Sequence, residues 1–320
     1  MHRLSNGSKM QYKKVVVIVG PTAVGKTDLA IRLAERIDGE IISADSRLLY
    51  RGMDIGTAKP GPDARGRVAH HMIDLADPDE VWSLAIYQKQ VLEEIKAVQS
   101  LNRIPIVVGG TGQYIRSLTE GWVIPALQPD HKMREVIENW ADEIGSVNLH
   151  RKLSIIDPDA ADKIEANNIR RTVRALEVIF RTGVLFSTQQ EKTPPPLNFK
   201  IIGLIRPREE LYSRVDARIE TMFDQGLVQE VKQLIEKGYT PDLPTLSAIG
   251  YREVMGVIQG ACSLEEAKVM MRRKTRQFIR RQTNWFKPSD PNIEWFEMTP
   301  DPMDAVVNSI HEWSNIKNDK

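Results

Sequence analysis

The stretch "GPTAVGKT", Gly20 to Thr27, lies between "KKVVVIV" and "DLAIRLAERI". Glycines at its first and sixth positions, then Lys-Thr, fit the phosphate-loop pattern. The flanks agree, because residues 15–19 read as a buried parallel strand, while Leu29, Ala30, Leu33 and Ile37 recur at helical spacing. Gly20, Pro21, Thr22, Ala23, Val24, Gly25, Lys26 and Thr27 would then wrap a phosphate. Backbone N–H groups point inward in such a turn, and the helix N-terminus adds partial positive charge. Lys26 would reach the terminal phosphate and the Thr27 hydroxyl would ligate Mg²⁺. The loop says that a phosphate is held, not what becomes of it.

Length allows one large domain or two modest ones in 320 residues. Hydrophobic residues at 41% and charged residues at 27% are ordinary for a globular chain. A net charge of +1 excludes a globally basic nucleic-acid binder but leaves room for local patches. The one cysteine, Cys262, rules out an internal disulfide framework and a cysteine-based zinc site. The polar, basic N-terminus and the strand-length apolar run after it fit neither a signal peptide nor a membrane span. We therefore expect a cytoplasmic protein with no membrane partner, in which the sequon Asn6-Gly7-Ser8 has no meaning. No heptad seam calls for a partner chain, and we expect a monomer.

Apolar runs at 15–19, 104–108 and 201–205, with a fourth strand in "EIISADS", alternate with helical patterns. That order argues for an α/β fold with a parallel, phosphate-loop core. Between about 122 and 197 strand-like runs vanish, and amphipathic helices such as "HKMREVIENWADEIG" and "NNIRRTVRALEVIFRTG" take over. This reads as an inserted all-helical domain, closed by the prolines of "EKTPPPLNFK", which no helix can continue. The core thus comprises 1–121 and 198–320, the latter with helices at 209–223, 227–237 and 264 to about 286.

Three features bear on chemistry. Asp45 and Ser46 follow the second strand, at the carboxyl end where open α/β sheets bind ligands. Asp45 is either a general base or metal ligand there, or a helix N-cap. The strand at 104–108 ends in Gly109, Gly110, Thr111 and Gly112 rather than in the acidic residue of many nucleotide hydrolases, so something is expected to approach closely. Arg214 and Arg218, four apart, share a helix face and would clamp a diphosphate, unless they merely line a solvated face with Glu210 and Asp216. His70 and His71 are neighbours whose side chains point apart, and we assign them no metal.

Basic residues cluster twice. Arg170, Arg171 and Arg174 lie in one helix of the insert. The run "KVMMRRKTRQFIRRQTNWFK" carries eight cations, among them Arg276, Arg280 and Arg281, with no acid inside it and with Phe278, Trp285 and Phe286 interleaved. A polyanion explains that composition better than a solvated face does.

Together "GPTAVGKTDLA", "ISADS", "YRGMDIGTAKP", "HHMIDL", "VVGGTGQYI", "NNIRRTVRALEV", "GLVQEV", "AIGYRE" and "TRQFIRRQTNWF" resemble, in order and across nearly the whole chain, the tRNA dimethylallyltransferases. The resemblance implies transfer of the dimethylallyl group from dimethylallyl diphosphate to N6 of the adenine adjoining the anticodon, adenosine-37, with Mg²⁺. The loop would then hold a leaving diphosphate and no ATP need be hydrolysed. It also implies that Asp45 takes the amine proton, that Thr22, Gly25, Lys26 and Thr27 cradle the diphosphate, and that Arg218, supported by Arg214, holds it from the other side. Thr111 would line the channel where adenine and donor meet. Asp45, Ser46, Arg47 and Leu48, with Arg134 and with Arg170, Arg171, Thr172, Val173 and Arg174, match stretches that touch the tRNA anticodon stem-loop in the family. Leu48 stands where many members have Gln, Gln113 where Leu is common, and Glu165-Ala166 in place of His-Pro. Two other classes compete. A phosphate-loop kinase of a small metabolite would not need the basic C-terminal helix, and a non-enzymatic RNA binder would not need Lys26 and Asp45 in one crevice.

Overall fold

A computed structural model describes residues 13–124, 130–189, 192–193 and 195–315. The sequon at residues 6–8 and Pro194 of the proline run lie outside them. The chain divides into two compact units: Ser83–Ile86 with Arg116–Pro195 form the smaller, and the rest of the described chain the larger.

The larger unit is built on six parallel strands: β1 (Lys13–Val19), β2 (Gly39–Ser43), β3 (His70–His71), β4 (Ile104–Val108), β5 (Leu197–Ile205) and β6 (Ile293–Glu297). Their order across the sheet is β3-β2-β4-β1-β5-β6. In register, Val17 sits between Val107 and Ile201, so β1 is central. Val15–Val19 are fully buried, as β-branched residues on a strand covered on both faces should be. Helices α1 (Lys26–Ile37), α2 (Pro62–Arg67), α3 (Leu84–Ser100) and α4 (Gly112–Thr119) follow the first strands. The expected strands at 15–19, 104–108 and 201–205 are present, the last beginning four residues earlier at Leu197. β3 and β6 are additions to the sequence reading, at the two edges of the sheet.

The smaller unit holds α5 (His131–Ile144), α6 (Ser146–Ile156), α7 (Pro158–Ala161) and α8 (Ile169–Thr182). Ile137, Ala141, Leu149, Leu153, Val173, Leu176 and Ile179 form its core. Its ends meet where Trp122 bridges Lys192 and the Thr193 N–H donates to Gly121 O at 2.8 Å. It begins inside α4 rather than at Trp122, where the sequence changes character. Asn168 caps α8, its side chain accepting from Arg171 N, and Gly183 ends it with φ of 68°.

After β5 the larger unit adds α9 (Arg208–Asp224), α10 (Leu227–Glu236), α11 (Tyr251–Ile258), α12 (Leu264–Trp285) and, past β6, α13 (Met303–Asn315). α12 starts on a capping box in which Ser263 and Glu266 satisfy each other's backbone N–H. Among the described residues no helix is long and apolar enough to cross a membrane.

Candidate active site

The loop between β1 and α1 turns as its sequence requires. Gly20 has φ of 147°, and a β-carbon there would lie 2.7 Å from Leu204 O. The loop is gripped from outside through its carbonyls. Arg214 Nε donates to Ala23 O and Arg206 Nε to Val24 O, each at 2.8 Å. The Ala23 and Val24 carbonyls are thus taken up by arginines of α9 and the β5 end, and the start of α1 offers its N–H groups to an anion.

Lys26 lies inside this turn, its Nζ donating to Gly20 O at 2.9 Å and Pro21 O at 2.8 Å. Burial pushes its pKa down to about 8, against the attraction of Asp45 and with the help of repulsion from Arg218. Lys26 therefore feels the charge of both Asp45 and Arg218. Burial also lowers Arg218, with Arg214 adding repulsion. Arg218 is half-buried, and among the described residues it makes no hydrogen bond or ion pair. A guanidinium kept partly out of water beside two other cations gains most when a polyanion arrives. The solvated-face reading of Arg214 and Arg218 does not hold, since Arg214 is bonded to the loop and Arg218 is partly buried.

Asp45 stands just past β2. It caps no helix; its Oδ1 accepts from Arg47 N at 2.9 Å, closing a local Asx turn. Ser46 N donates to Thr111 Oγ1 at 3.3 Å, so the β2 and β4 ends share one crevice. Behind them Tyr87 and Tyr114 stack with ring centroids 3.7 Å apart, and the Tyr87 hydroxyl donates to Ser43 O. Burial raises both phenols, and the charge of Asp45 raises them further. Arg47 reaches Pro244 O and Thr245 O at 3.4 and 3.3 Å, which fixes this turn to the segment before α11.

The glycines after β4 admit protein. A β-carbon on Gly109 would lie 2.1 Å from Ala44 O, and one on Gly112 as close to the Trp285 ring. Gln282, also on α12, is the residue that sequence reading missed. Its Oε1 accepts from Thr22 N at 2.7 Å and its Nε2 donates to Gly110 O at 3.2 Å, joining the phosphate loop to the glycine turn. Glu230 is a second: its carboxylate takes the N–H groups of Asp54, Ile55 and Gly56 and the Tyr251 hydroxyl, fixing the loop "GMDIGTA". Replacing Gln282 by Ala leaves a buried N–H and a buried C=O without partners. We expect a loss of about 1–3 kcal/mol in stability and roughly tenfold in diphosphate affinity, read by thermal melting and calorimetry.

The basic run of α12 is corrected by its neighbours. Lys268 pairs with Glu220 at 2.7 Å, Arg272 with the same carboxylate, Lys274 with Glu253 at 2.6 Å, and Arg276 with Asp216 at 2.6 Å. Arg276 also lies over the Tyr212 ring. Acids from α9 and α11 thus neutralise half the run. Arg273, Arg280 and Arg281 are exposed and, among the described residues, unpaired; with Gln277 and Asn284 they share one helix face.

In the smaller unit Arg134 and Arg174 both bond Glu177, while Arg170 and Arg171 are exposed. Thr172 and Val173 are 1% and 2% exposed, so their side chains belong to the core and not to a contact surface. His71 sits between Glu40 and Glu94 at 2.6 and 3.0 Å, and His70 Nδ1 lies on Val68 O. Among the described residues no cluster of three His, Cys, Asp or Glu would hold a metal by itself.

A parallel sheet whose first strand runs into a phosphate loop, with Asp45 and Arg218 acting on the lysine of that loop, is the arrangement of a phosphate-loop enzyme. The family profile "IPP transferase" matches residues 48–289. A tRNA dimethylallyltransferase of Roseiflexus sp. (strain RS-1) is 48% identical over 279 residues, covering 87% of this chain and 91% of that one. The tRNA isopentenylpyrophosphate transferase of Bacillus halodurans superposes with a TM-score of 0.69 at 39% identity, over 94% of this chain and 95% of that one. A eukaryotic dimethylallyltransferase solved acting on tRNA gives 0.78 at 29% identity, over 93% and 78%. The chain belongs to the tRNA dimethylallyltransferase family and is an enzyme of it.

Proposed function

We propose that this transferase, which prenylates N6 of the tRNA adenine adjoining the anticodon, holds dimethylallyl diphosphate in the Gly20–Thr27 loop and uses Asp45 as its base. As the N6–carbon bond forms, the bond from that carbon to the diphosphate oxygen breaks, and its electron pair leaves with the diphosphate. The amine proton passes to the Asp45 carboxylate, whose Oδ2 is not engaged by Arg47. Negative charge grows on the leaving oxygen, where Lys26, Arg218 and the loop N–H groups act most strongly.

Mg²⁺ fits this chain only as an ion shared with phosphate. The exposed Thr27 hydroxyl is the one expected protein ligand, and among the described residues no three-ligand cluster competes with it. When bound it would neutralise phosphate charge. Arg280, Arg281 and the arginines of the smaller unit serve the tRNA in this reading, at sites where a loop base is splayed out rather than read in a duplex. The enzyme works as a monomer in the cytoplasm.

The observation that carries the reading is Lys26 Nζ held inside the loop on Gly20 O and Pro21 O, where Asp45 and Arg218 both act on its charge. Inorganic pyrophosphate should compete with dimethylallyl diphosphate. Its affinity should fall once Lys26 loses its proton, by up to about tenfold per pH unit above about pH 8. Lys26→Arg keeps the charge and should flatten that fall. In the ligand-free protein the sign reverses. The unfolded chain holds the proton more tightly, so Lys26 adds stability as pH rises from about 8 toward 10.5. A pyrophosphate affinity constant from pH 7 to 9.5 contradicts the assignment of Lys26.

A further inference from the structure

Glu177 is fully buried on α8, at 0% exposure. A buried carboxylate is costly unless it is paired and hydrogen-bonded. This one is paired twice: its Oε2 accepts from Arg134 Nε on α5 and from Arg174 on α8, each at 2.8 Å. Its Oε1 accepts from the N–H of Asp130, the N-cap of α5, also at 2.8 Å. Burial raises the carboxyl, but the bonds from Arg174, the Asp130 N–H and Arg134 outweigh it, and the group stays below its ordinary range. The two guanidiniums keep 31% and 28% of their side chains exposed. Arg170, one turn earlier, lies on the same helix face as Arg174 and Glu177, and Arg170 and Arg171 are exposed. The result is four cations at the surface, two of them bonded to one carboxylate buried behind them.

Resting on the reading that the smaller unit binds tRNA, we propose that Glu177 is a positioning residue: it aims Arg134 and Arg174 as one binding point for neighbouring RNA phosphates. Two arginines from different helices repel each other when unsupported. A shared carboxylate holds them side by side and fixes each planar fork, which is what bidentate phosphate recognition needs. It also ties the start of α5 to the middle of α8, so the spacing of the forks is set by the backbone.

The charge of Glu177 makes the test decisive. A patch that works by net charge alone would bind RNA more tightly once the carboxylate is gone. A patch that works by aim would bind more weakly. Glu177→Gln keeps the volume and removes the charge, and Glu177→Asp keeps the charge and withdraws it by one methylene. In the full-length enzyme with an unmodified tRNA transcript, both should raise KM for tRNA about tenfold. kcat at saturating tRNA should stay within about twofold, and the dependence of log affinity on log salt should become shallower by about one to two contacts. Equal or tighter binding in both variants overturns the proposal. Should Glu177→Gln lose its fold on melting, Arg134→Ala, Arg174→Ala and their double variant replace it. Less-than-additive losses are then expected, and strictly additive ones overturn it. If alanine at Arg134, Arg170, Arg171 and Arg174 each leaves tRNA affinity intact, the RNA-binding reading of this unit fails, and the proposal with it.

Discussion

Lys26→Ala should lower single-turnover prenyl transfer by about 10²–10³-fold, with tRNA affinity held within about twofold. The lysine is half-buried inside the loop, and its charge is maintained by Asp45 against burial and Arg218. In the ligand-free protein it rests on the carbonyls of Gly20 and Pro21. In the proposed reading those two bonds hold the ammonium where the charge of the leaving diphosphate would develop, so little reorganisation is needed. Interactions that strengthen in the transition state lower the barrier, whereas uniform binding does not. The loss should therefore fall on the chemical step more than on KM for the donor. Filter binding of tRNA alongside rapid-quench turnover separates the two. A Lys26→Ala enzyme at full turnover would remove the phosphate role.

Asp45→Asn should cost about 10²–10⁴-fold in the same assay, with diphosphate affinity at pH 7 nearly unchanged. The amide oxygen can still accept from Arg47 N, so the turn after β2 survives and the loss reports on proton removal. One side effect is built in. Asp45 helps keep Lys26 charged, so in Asp45→Asn the alkaline fall in diphosphate affinity should move to lower pH. Near-normal turnover at pH 7 would mean that another group takes the proton.

The parts legible in the sequence were those with local signals. β1 and β4 announce themselves as β-branched runs, and the loop by its glycines and Lys-Thr. The insert shows as a loss of strand pattern. What was hidden depends on partners far along the chain. β3 is two residues long, and β6, "IEWFE", is short, carries two glutamates and is no continuous apolar run, so neither stands out. Gln282 looks like any polar residue of a basic helix until α12 is seen packed on the loop it joins to the glycine turn. The acids that pair with Lys268, Arg272, Lys274 and Arg276 lie on α9, on α11 and, as Glu265, at the start of α12 before the run, so counting charges within the run overstated its excess. For Thr172 and Val173 a signal did exist. With Leu176 and Ile179 they follow helical spacing, which places them on the apolar face of α8.

The central claim is that the loop holds a departing diphosphate and not a nucleotide. The direct measurement is mass spectrometry of an unmodified tRNA incubated with the protein, Mg²⁺ and dimethylallyl diphosphate, with ATP omitted. The account predicts a dimethylallyl mass on the adenosine adjoining the anticodon, with no further gain when ATP is added. An unmodified tRNA without ATP, with phosphate transfer appearing once ATP is present, would contradict it.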